Sequence, residues 1–282
     1  MRRRRSFAQR GAIVGAVVVL AIVVLAIVQP GADPYAIDVD HGLTALGAPL
    51  PPSAHAPLGT DALGRDVWAR VVAGAGSSLS IAALATALAL VVGVAVGLVA
   101  GYAGGWVDNL LMRTVDLVLA FPFLLLAILL AALLRNTSAG ASIAPVIAAL
   151  AIASWTTMAR VVRSRTLALT RSEMVIAARA LGATPARIVM RYLLPNVAGL
   201  VVVIAALAFA QNLLAESVLS YLGLGAPPPA ASWGRMLYEG RVYYRSAPHL
   251  VVVPGLAIVV AVAAFHLIGE GLRAWIDPGE RA

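Results

Sequence analysis

The chain has 282 residues, of which 61% are hydrophobic and 12% charged, a composition that excludes an ordinary soluble domain and indicates an integral membrane protein. Its 21 basic residues outnumber its 13 acidic ones, but they follow the loops between apolar segments, so we do not expect nucleic-acid binding. The sequence contains no cysteine, which excludes disulfides and thiolate metal sites.

The first predicted membrane span runs from Gly11 to Val28, an apolar stretch without charge that follows a cluster of arginines. A secretory signal peptide is the alternative, because such a peptide also starts with basic residues, but this apolar run is longer than usual and further spans follow. We expect the N-terminus in the cytoplasm and residues 29–76 in an extracytoplasmic loop that is rich in Pro, Gly and Asp.

Polar residues cluster in the second half of that loop. His55, Asp61 and Asp66 permit a metal or acid–base site, although the spacing is weak support for one. The simpler interpretation is that Asp61, Arg65 and Asp66 cap a helix start and pair around it.

The next three predicted spans cover residues 77–101, 110–134 and 142–162, with a short inner turn at 102–113. Gly93, Gly97 and Gly101 recur at every fourth position of the second span, which indicates either a stripe for close helix packing or incidental glycines. Pro122 lies inside the third span, where it removes a backbone hydrogen bond and is expected to kink the helix.

Residues 172–195 predict two short helices joined by a bend. Ser172 is placed to cap the first helix, and Gly182 lies where a left-handed C-terminus is expected. Thr184 and Pro185 start the second helix, which we expect to run to Leu194 and to end at Pro195 and Asn196. The loop is rich in arginine and is therefore expected in the cytoplasm. It either rests on lipid headgroups or docks into a partner.

The fifth predicted span begins near Val197 and carries Gln211, Asn212 and Glu216 in its second half. Polar groups at this depth destabilise a helix unless they face protein or water, so these three residues are candidates for a translocation path. The alternative is that they bond to a neighbouring helix or that Glu216 already lies at the outer interface.

The sixth predicted span covers residues 249–270 and follows an outer loop of residues 219–248. His249 and His266 lie at opposite ends of this span, too far apart to share a metal. With six spans, 15 arginines fall on the N-terminal side of the membrane and 6 on the other, which supports cytoplasmic N- and C-termini.

The loop at 172–195 resembles the E-A-A-x3-G-x9-I-x-L-P loop of permease subunits in ATP-binding-cassette importers. The matching residues are Ala177, Ala178, Gly182, Leu194 and Pro195. Two positions depart from the pattern, because Ile176 replaces Glu and Tyr192 replaces Ile. In the family this loop docks into the ATPase subunit, and the resemblance implies that role for the five matching residues.

Three further segments resemble the dipeptide and oligopeptide branch of this family. They are G-T-D-x-x-G-R-D at 59–66, L-G-L-G with S-W-G at 222–234, and G-x-G-L-R-x-x-x-D-P at 269–278, which includes Asp277 and Pro278. The resemblance therefore covers most of the chain and narrows its class to a peptide-type importer permease.

The resemblance implies an all-α polytopic membrane protein with the type I permease fold of six transmembrane helices. Residues 1–76 would hold the N-terminal tail, first span and outer loop, residues 77–272 the five-helix core, and residues 273–282 a cytoplasmic tail. The implied partners are a second homologous permease, two ATPase subunits that bind ATP and Mg, an extracytoplasmic solute-binding protein and the lipid of a prokaryotic plasma membrane. Related permeases also serve nickel, glutathione and opine-like solutes.

The sequence shows no catalytic constellation, and it contains no lysine for a phosphate-binding P-loop, so ATP hydrolysis is expected in partner chains. A proton-coupled secondary carrier is the main rival, with Asp116, Glu216 and Glu270 as its candidate relay, all near span ends. A membrane-bound hydrolase is a weaker rival.

Overall fold

The computed structural model describes residues 2–28, 33–135, 142–228 and 230–276, with side chains from residue 8 onward. Residues 136–141, between the third and fourth predicted spans, and Asp277 and Pro278 of the tail motif lie outside the described residues. The regular secondary structure of the described residues is helical, apart from the isolated bridges Leu43–Pro49 and Thr60–Asp66, and residues 33–66 form turns and loops, as the sequence predicts.

The described residues form ten α-helices, which are numbered here in chain order. They are α1 (Arg2–Val28), α2 (Val67–Ala103), α3 (Gly105–Leu119), α4 (Phe123–Arg135), α5 (Ala144–Thr170), α6 (Glu173–Ala180), α7 (Pro185–Ile188), α8 (Leu194–Tyr221), α9 (Trp233–Gly240) and α10 (His249–Ile276). A π-helical turn, Val189–Leu193, joins α7 to α8, and a 3-10 turn, Arg241–Tyr243, follows α9.

Among the described residues, five helical segments are long and apolar enough to cross a membrane, and a sixth span results if α3 and α4 count as one bent pair. Most of the helices exceed the predicted spans, and α1 already begins at Arg2 rather than Gly11. The second span begins at Val67 rather than residue 77, the fourth continues to Thr170 and the sixth to Ile276. Hydropathy marks the part of a helix that crosses the apolar core, whereas a helix continues for as long as its backbone hydrogen bonds are made.

The predicted third span is broken rather than kinked, because α3 and α4 meet at 88°. Pro122 lacks the N–H that would continue the ladder, and the Phe121 N–H closes a tight turn on the Val118 carbonyl at 3.2 Å. The predicted inner turn at 102–113 is also wrong. Only Gly104, with φ of 64°, interrupts the helix there.

Helices α2 and α5 share the most extensive contact among the described helices, through the glycine stripe of α2. A Cβ on Gly97 would lie 2.6 Å from the Ala159 carbonyl oxygen, and Gly93 and Gly101 face α5 as closely. The packing interpretation of these glycines is therefore confirmed, since only residues without a side chain allow this approach.

The bundle has two distinct ends. Arg179 of α6 stacks over Tyr102 of α2 at 5.3 Å, so the second halves of α2 and α5 meet the α6–α7 segment at what we call the hairpin end. Helix α8 leads from there to α9, whose Trp233 donates from Nε1 to the Val71 carbonyl at 2.9 Å. We call this the α9 end.

Both described termini lie towards the hairpin end. Helix α1 packs along α10, where Gly15 lies against the Ala264 carbonyl and Gly271 lies against Ala12. Helix α9 was predicted as loop. Its N-cap, Ser232, accepts from the Arg235 N–H at 3.3 Å, which is a local signal for a helix start that the surrounding Pro-rich sequence conceals.

Candidate functional site

The hairpin formed by α6 and α7 turns at Gly182, as predicted. Gly182 has φ of 76°, and it donates to the Arg179 carbonyl at 3.0 Å while Ala183 donates to the Ala178 carbonyl at 3.0 Å. This pair of bonds satisfies carbonyls that the end of α6 would leave without partners. The turn is therefore fixed by its own backbone.

The two predicted N-caps of the hairpin differ. Thr184 accepts from the Arg187 N–H at 3.4 Å and caps α7 as predicted. Ser172 occupies the N-cap position of α6, but its hydroxyl donates to the Leu169 carbonyl at 2.6 Å instead of accepting from the helix. Its side chain thereby ties α6 to the end of α5.

The predicted helix end at Leu194, Pro195 and Asn196 is wrong, because the helix continues through these residues into α8. The π-helical turn before Pro195 shifts the hydrogen bonding, so that Leu194 donates to the Val189 carbonyl. Asn196 donates from its side chain to the Tyr192 carbonyl at 2.7 Å. The turn and this amide together accommodate a proline that an ordinary helical interior would not.

One side of the hairpin is anchored in the bundle. Val175 and Ala178 of α6 and Ile188 of α7 are buried, and Val175 and Ile188 belong to one apolar cluster with Met158 and Val162 of α5. Burial of such side chains contributes about 1.5–3 kcal/mol for each large one. The hairpin is therefore packed against the spans that it contacts.

The other side of the hairpin is exposed and carries large apolar residues among its charged ones. Leu181, beside the turn, is 89% exposed, and Ile176 is 56% exposed. Among the residues predicted for docking, Ala177, Gly182 and Pro195 are exposed, Leu194 is half-buried and Ala178 is buried. We call the exposed residues Met174, Ile176, Ala177, Leu181 and Met190 the hairpin surface.

A central cavity of about 540 Å³ lies among α2, α5, α8 and α10. Its wall is mostly apolar, and polar groups from each of the four helices interrupt it. They are Thr86, Ser154, Thr157, Gln211 and His266. The wall can thus offer hydrogen bonds to a small polar solute without presenting a full charge.

The three polar residues predicted in the fifth span are not equivalent. Gln211 lines the central cavity. Asn212 is buried behind the wall, where its amide donates to Thr86 Oγ1 at 3.0 Å and lies 3.5 Å from Ser154 Oγ. Asn212 therefore positions two hydroxyls of the wall and joins α8 to α2 and α5.

Glu216 does not line the central cavity. It is fully buried nearer the α9 end, and its Oε1 accepts from Ser220 at 2.7 Å. Its Oε2 has no hydrogen-bond partner among the described residues, although the hydroxyls of Ser78 and Ser232 lie close to the carboxyl.

Four of the five polar wall residues were not expected there from the sequence, namely Thr86, Ser154, Thr157 and His266, and His266 had been considered only as a metal ligand. Its position on α10 follows from helical periodicity, because Val262, one turn earlier, also lines the cavity. In the described part of the chain, no group of three His, Asp or Glu side chains is placed to hold a metal ion.

The charged motif before α2 caps the helix, as the simpler interpretation states. Asp66 accepts from the Trp68 N–H at 2.9 Å, and Asp61 accepts from the Leu63 N–H at 2.8 Å and from Arg65 Nε at 2.7 Å. His55 is not part of these contacts. These hydrogen bonds therefore fix the backbone of the segment immediately before α2.

This motif also contacts α9 through a network of ion pairs. The sequence alone does not predict this network, because its members lie far apart in the chain. Arg70, only 2% exposed, donates from Nη1 to both Asp61 and Glu239, the latter at 2.8 Å. Arg235 donates to the other oxygen of Glu239 at 2.9 Å. Burial alone would raise the pKa of Glu239, but the charge of Arg70 and the hydrogen bonds of the arginines outweigh it and hold that pKa below its ordinary value.

Comparison with known proteins agrees with the resemblance in the sequence. A family model described as "Binding-protein-dependent transport system inner membrane component" matches residues 93–282. The dipeptide transport system permease protein DppC of Alkalihalophilus pseudofirmus is 38% identical over 95% of this chain and 85% of its own length. The glutathione transport system permease proteins GsiD of Escherichia coli and Shigella boydii are each 42% identical over 80% of this chain and 73% of their own.

Proposed function

This chain belongs to the family of binding-protein-dependent transport system inner membrane components, and from that premise we propose that its hairpin receives the motion of ATPase subunits. The chain is a permease subunit of an importer, and it carries no P-loop lysine of its own. In this proposal the hairpin end and both termini face the cytoplasm of a prokaryotic cell.

The observation that carries this proposal is the two-sided hairpin. Its inner side shares an apolar cluster with α5 and α8, whereas its other side exposes Leu181 and Ile176 to the surroundings. An apolar surface on a rigid turn is typical of a protein-binding surface. Lipid headgroups are the alternative occupant, since Arg171, Arg187 and Arg191 are exposed in the same segment.

We propose the partners that such an importer needs. They are a second, related permease that completes the pore, two ATPase subunits that bind ATP and Mg at the hairpin end, and a solute-binding protein at the α9 end. The exposed apolar faces of the spans contact lipid or the second permease.

In the proposed cycle, ATP binding brings the two ATPase subunits together and displaces both hairpins. The hairpin shares its apolar cluster with the spans that line the central cavity, so the displacement tilts them as rigid bodies. The cavity then opens alternately towards the two sides. Gln211 and His266 offer hydrogen bonds to the solute on the way, while Asn212 holds Thr86 and Ser154 in place.

We propose a small peptide as the solute. The relatives named for dipeptide and for glutathione transport are both closely similar, and glutathione is itself a small peptide with two free carboxylates. Nickel fits the structure less well, because the polar groups of the cavity wall include only one histidine and no carboxylate.

The hairpin proposal is tested by Leu181→Asp, with Leu46→Asp as its matched control. Both leucines are almost fully exposed, Leu181 at 89% and Leu46 at 95%, but Leu46 precedes α2 in the segment that joins the α9 end. We expect Leu181→Asp to abolish ATP-dependent uptake and co-purification of the ATPase while the chain stays inserted, and Leu46→Asp to change neither.

Uptake in the Leu181→Asp variant at the wild-type rate would refute the docking role of the hairpin. The solute is tested separately by reconstituting the complete complex with its binding protein and measuring ATP-dependent uptake of a labelled dipeptide. Competition by unlabelled glutathione but not by Ni²⁺ is expected, and competition by Ni²⁺ alone would contradict the peptide proposal.

A further inference from the structure

A second cavity, of about 460 Å³, lies at the α9 end between the charged motif that precedes α2 and helix α9. We call it the arginine cavity. Its charged lining consists of Arg65, Arg70, Arg235, Asp61 and Glu239. It is separate from the central cavity, because the two share no lining residue.

The lining of the arginine cavity carries an excess of positive charge. Three guanidinium groups face two carboxylates, and none of the other described residues that line the cavity is charged. The low pKa of Glu239 keeps that carboxylate ionised at neutral pH. One positive charge therefore remains without a counter-charge in a partly enclosed space, where charge interactions are stronger than in bulk water.

The arginines are held in fixed positions. Arg70 is nearly fully buried and bonds Asp61 and Glu239 through the same nitrogen, while its Nε has no partner among the described residues. Arg65 bridges the same two carboxylates, at 2.7 and 3.1 Å. Preorganised guanidinium groups lose little side-chain entropy when they bind a planar anion, for which their donors are well matched.

The remaining lining is apolar and suits the body of a small organic anion rather than an inorganic one. Val67, Met236, Tyr243 and Leu250 line the cavity beside the arginines. A volume of about 460 Å³ lies within the usual range for small-molecule sites. The carboxylate of a small, partly apolar molecule can bind the guanidinium groups while the rest of the molecule packs against the apolar side chains.

We propose that the arginine cavity binds the carboxylate of the transported peptide before the peptide enters the central cavity. This inference rests on the proposed transport of small peptides. Helix α2 carries Arg70 in the arginine cavity and Thr86 in the central cavity, about 24 Å apart along a helix axis at 1.5 Å per residue. A solute delivered at the α9 end therefore meets the arginine cavity first.

The test measures equilibrium binding of L-alanyl-L-alanine and of its C-terminal amide to the complete complex in nanodiscs, without the binding protein. The two probes differ only in the carboxylate. Loss of a charge-assisted hydrogen bond in a site of this kind weakens binding about tenfold or more, so we expect that preference for the acid over the amide.

Two variants change the charge of the cavity in opposite directions. Arg235→Gln removes the excess charge and is expected to reduce the preference for the acid to below about twofold. Glu239→Gln removes a negative charge, so the net positive charge of the cavity rises, and we expect the preference for the acid over the amide to increase. Arg245→Gln is the matched control, because this arginine lies in the same segment but contacts Tyr244 outside the cavity, and it should preserve the wild-type preference.

Equal binding of acid and amide by the wild type, or an unchanged preference in both cavity variants, would overturn the proposal. A second result would also overturn the proposal: Arg235→Gln weakens binding of the peptide-free solute-binding protein but leaves the preference for acid over amide intact. The arginine cavity would then bind a carboxylate of the solute-binding protein and not that of the peptide. If the preference behaves as expected but the complex accumulates no peptide with ATP, the site stands and the proposed function fails.

Discussion

Replacement of Gly97 by alanine tests whether the contact between α2 and α5 depends on the absence of a side chain. The added Cβ would lie 2.6 Å from the Ala159 carbonyl oxygen and 2.7 Å from the Val162 Cβ. Ordinary contacts of these kinds are about 3.5–4.0 Å long, so the two helices would have to separate by about 1 Å. Overpacking of this kind destabilises a protein by about 1–3 kcal/mol.

The assay is thermal unfolding of the purified chain in one detergent, with Gly76→Ala as the control. Gly76 lies in the same helix, but a Cβ there would have no atom within 4 Å. Helix propensity favours alanine by about 1 kcal/mol at both positions, so Gly76→Ala should raise the melting temperature or leave it unchanged while Gly97→Ala lowers it. An equal shift in the two variants would refute the argument from close approach.

Three further predictions concern the hairpin, the buried carboxylate and the ion network. Gly182→Val should abolish uptake whereas Gly182→Asn retains most of it, because asparagine tolerates the left-handed backbone far better than a β-branched residue; equal uptake in the two variants, measured in membrane vesicles, would contradict the role of the turn. Glu216→Gln should leave substrate preference in competition assays unchanged, because Glu216 does not line the central cavity; an altered preference would place it on the path. The pKa of Glu239 is lowered in the folded protein, so its ion pairs stabilise the fold fully above the ordinary pKa and lose this effect only as pH falls below it. The difference in melting temperature between wild type and Glu239→Gln should therefore persist from pH 7 to pH 5 and decrease below about pH 4.5, and an increase on acidification would disprove this sign.

Features that depend on neighbouring residues could be predicted from the sequence. The turn at Gly182, the cap at Thr184 and the cap at Asp66 each follow from residues within four positions of one another, because the hydrogen bonds that define them are local. The packing role of Gly97 could be suspected from its spacing, but the choice between packing and coincidence required the position of α5.

Features that join distant parts of the chain could not be predicted. Arg70 and Glu239 are 169 positions apart, and no local pattern indicates their contact. The continuation of α8 through Pro195 was missed because a π-helical turn removes the conflict that makes proline a helix terminator. Gln211 and Asn212 are adjacent in sequence, yet only the packing of four helices decides which one faces the cavity.

The unbroken path from Pro185 to Tyr221 has a mechanical consequence. Its 37 residues form a rod about 55 Å long at 1.5 Å per residue, interrupted only by a π-helical turn near one end. A rotation of about 10° around the middle of such a rod displaces each end by about 5 Å in opposite directions. A displacement of the hairpin would therefore displace the other end of α8 sideways next to α9. The central cavity and the arginine cavity would then change shape at the same time.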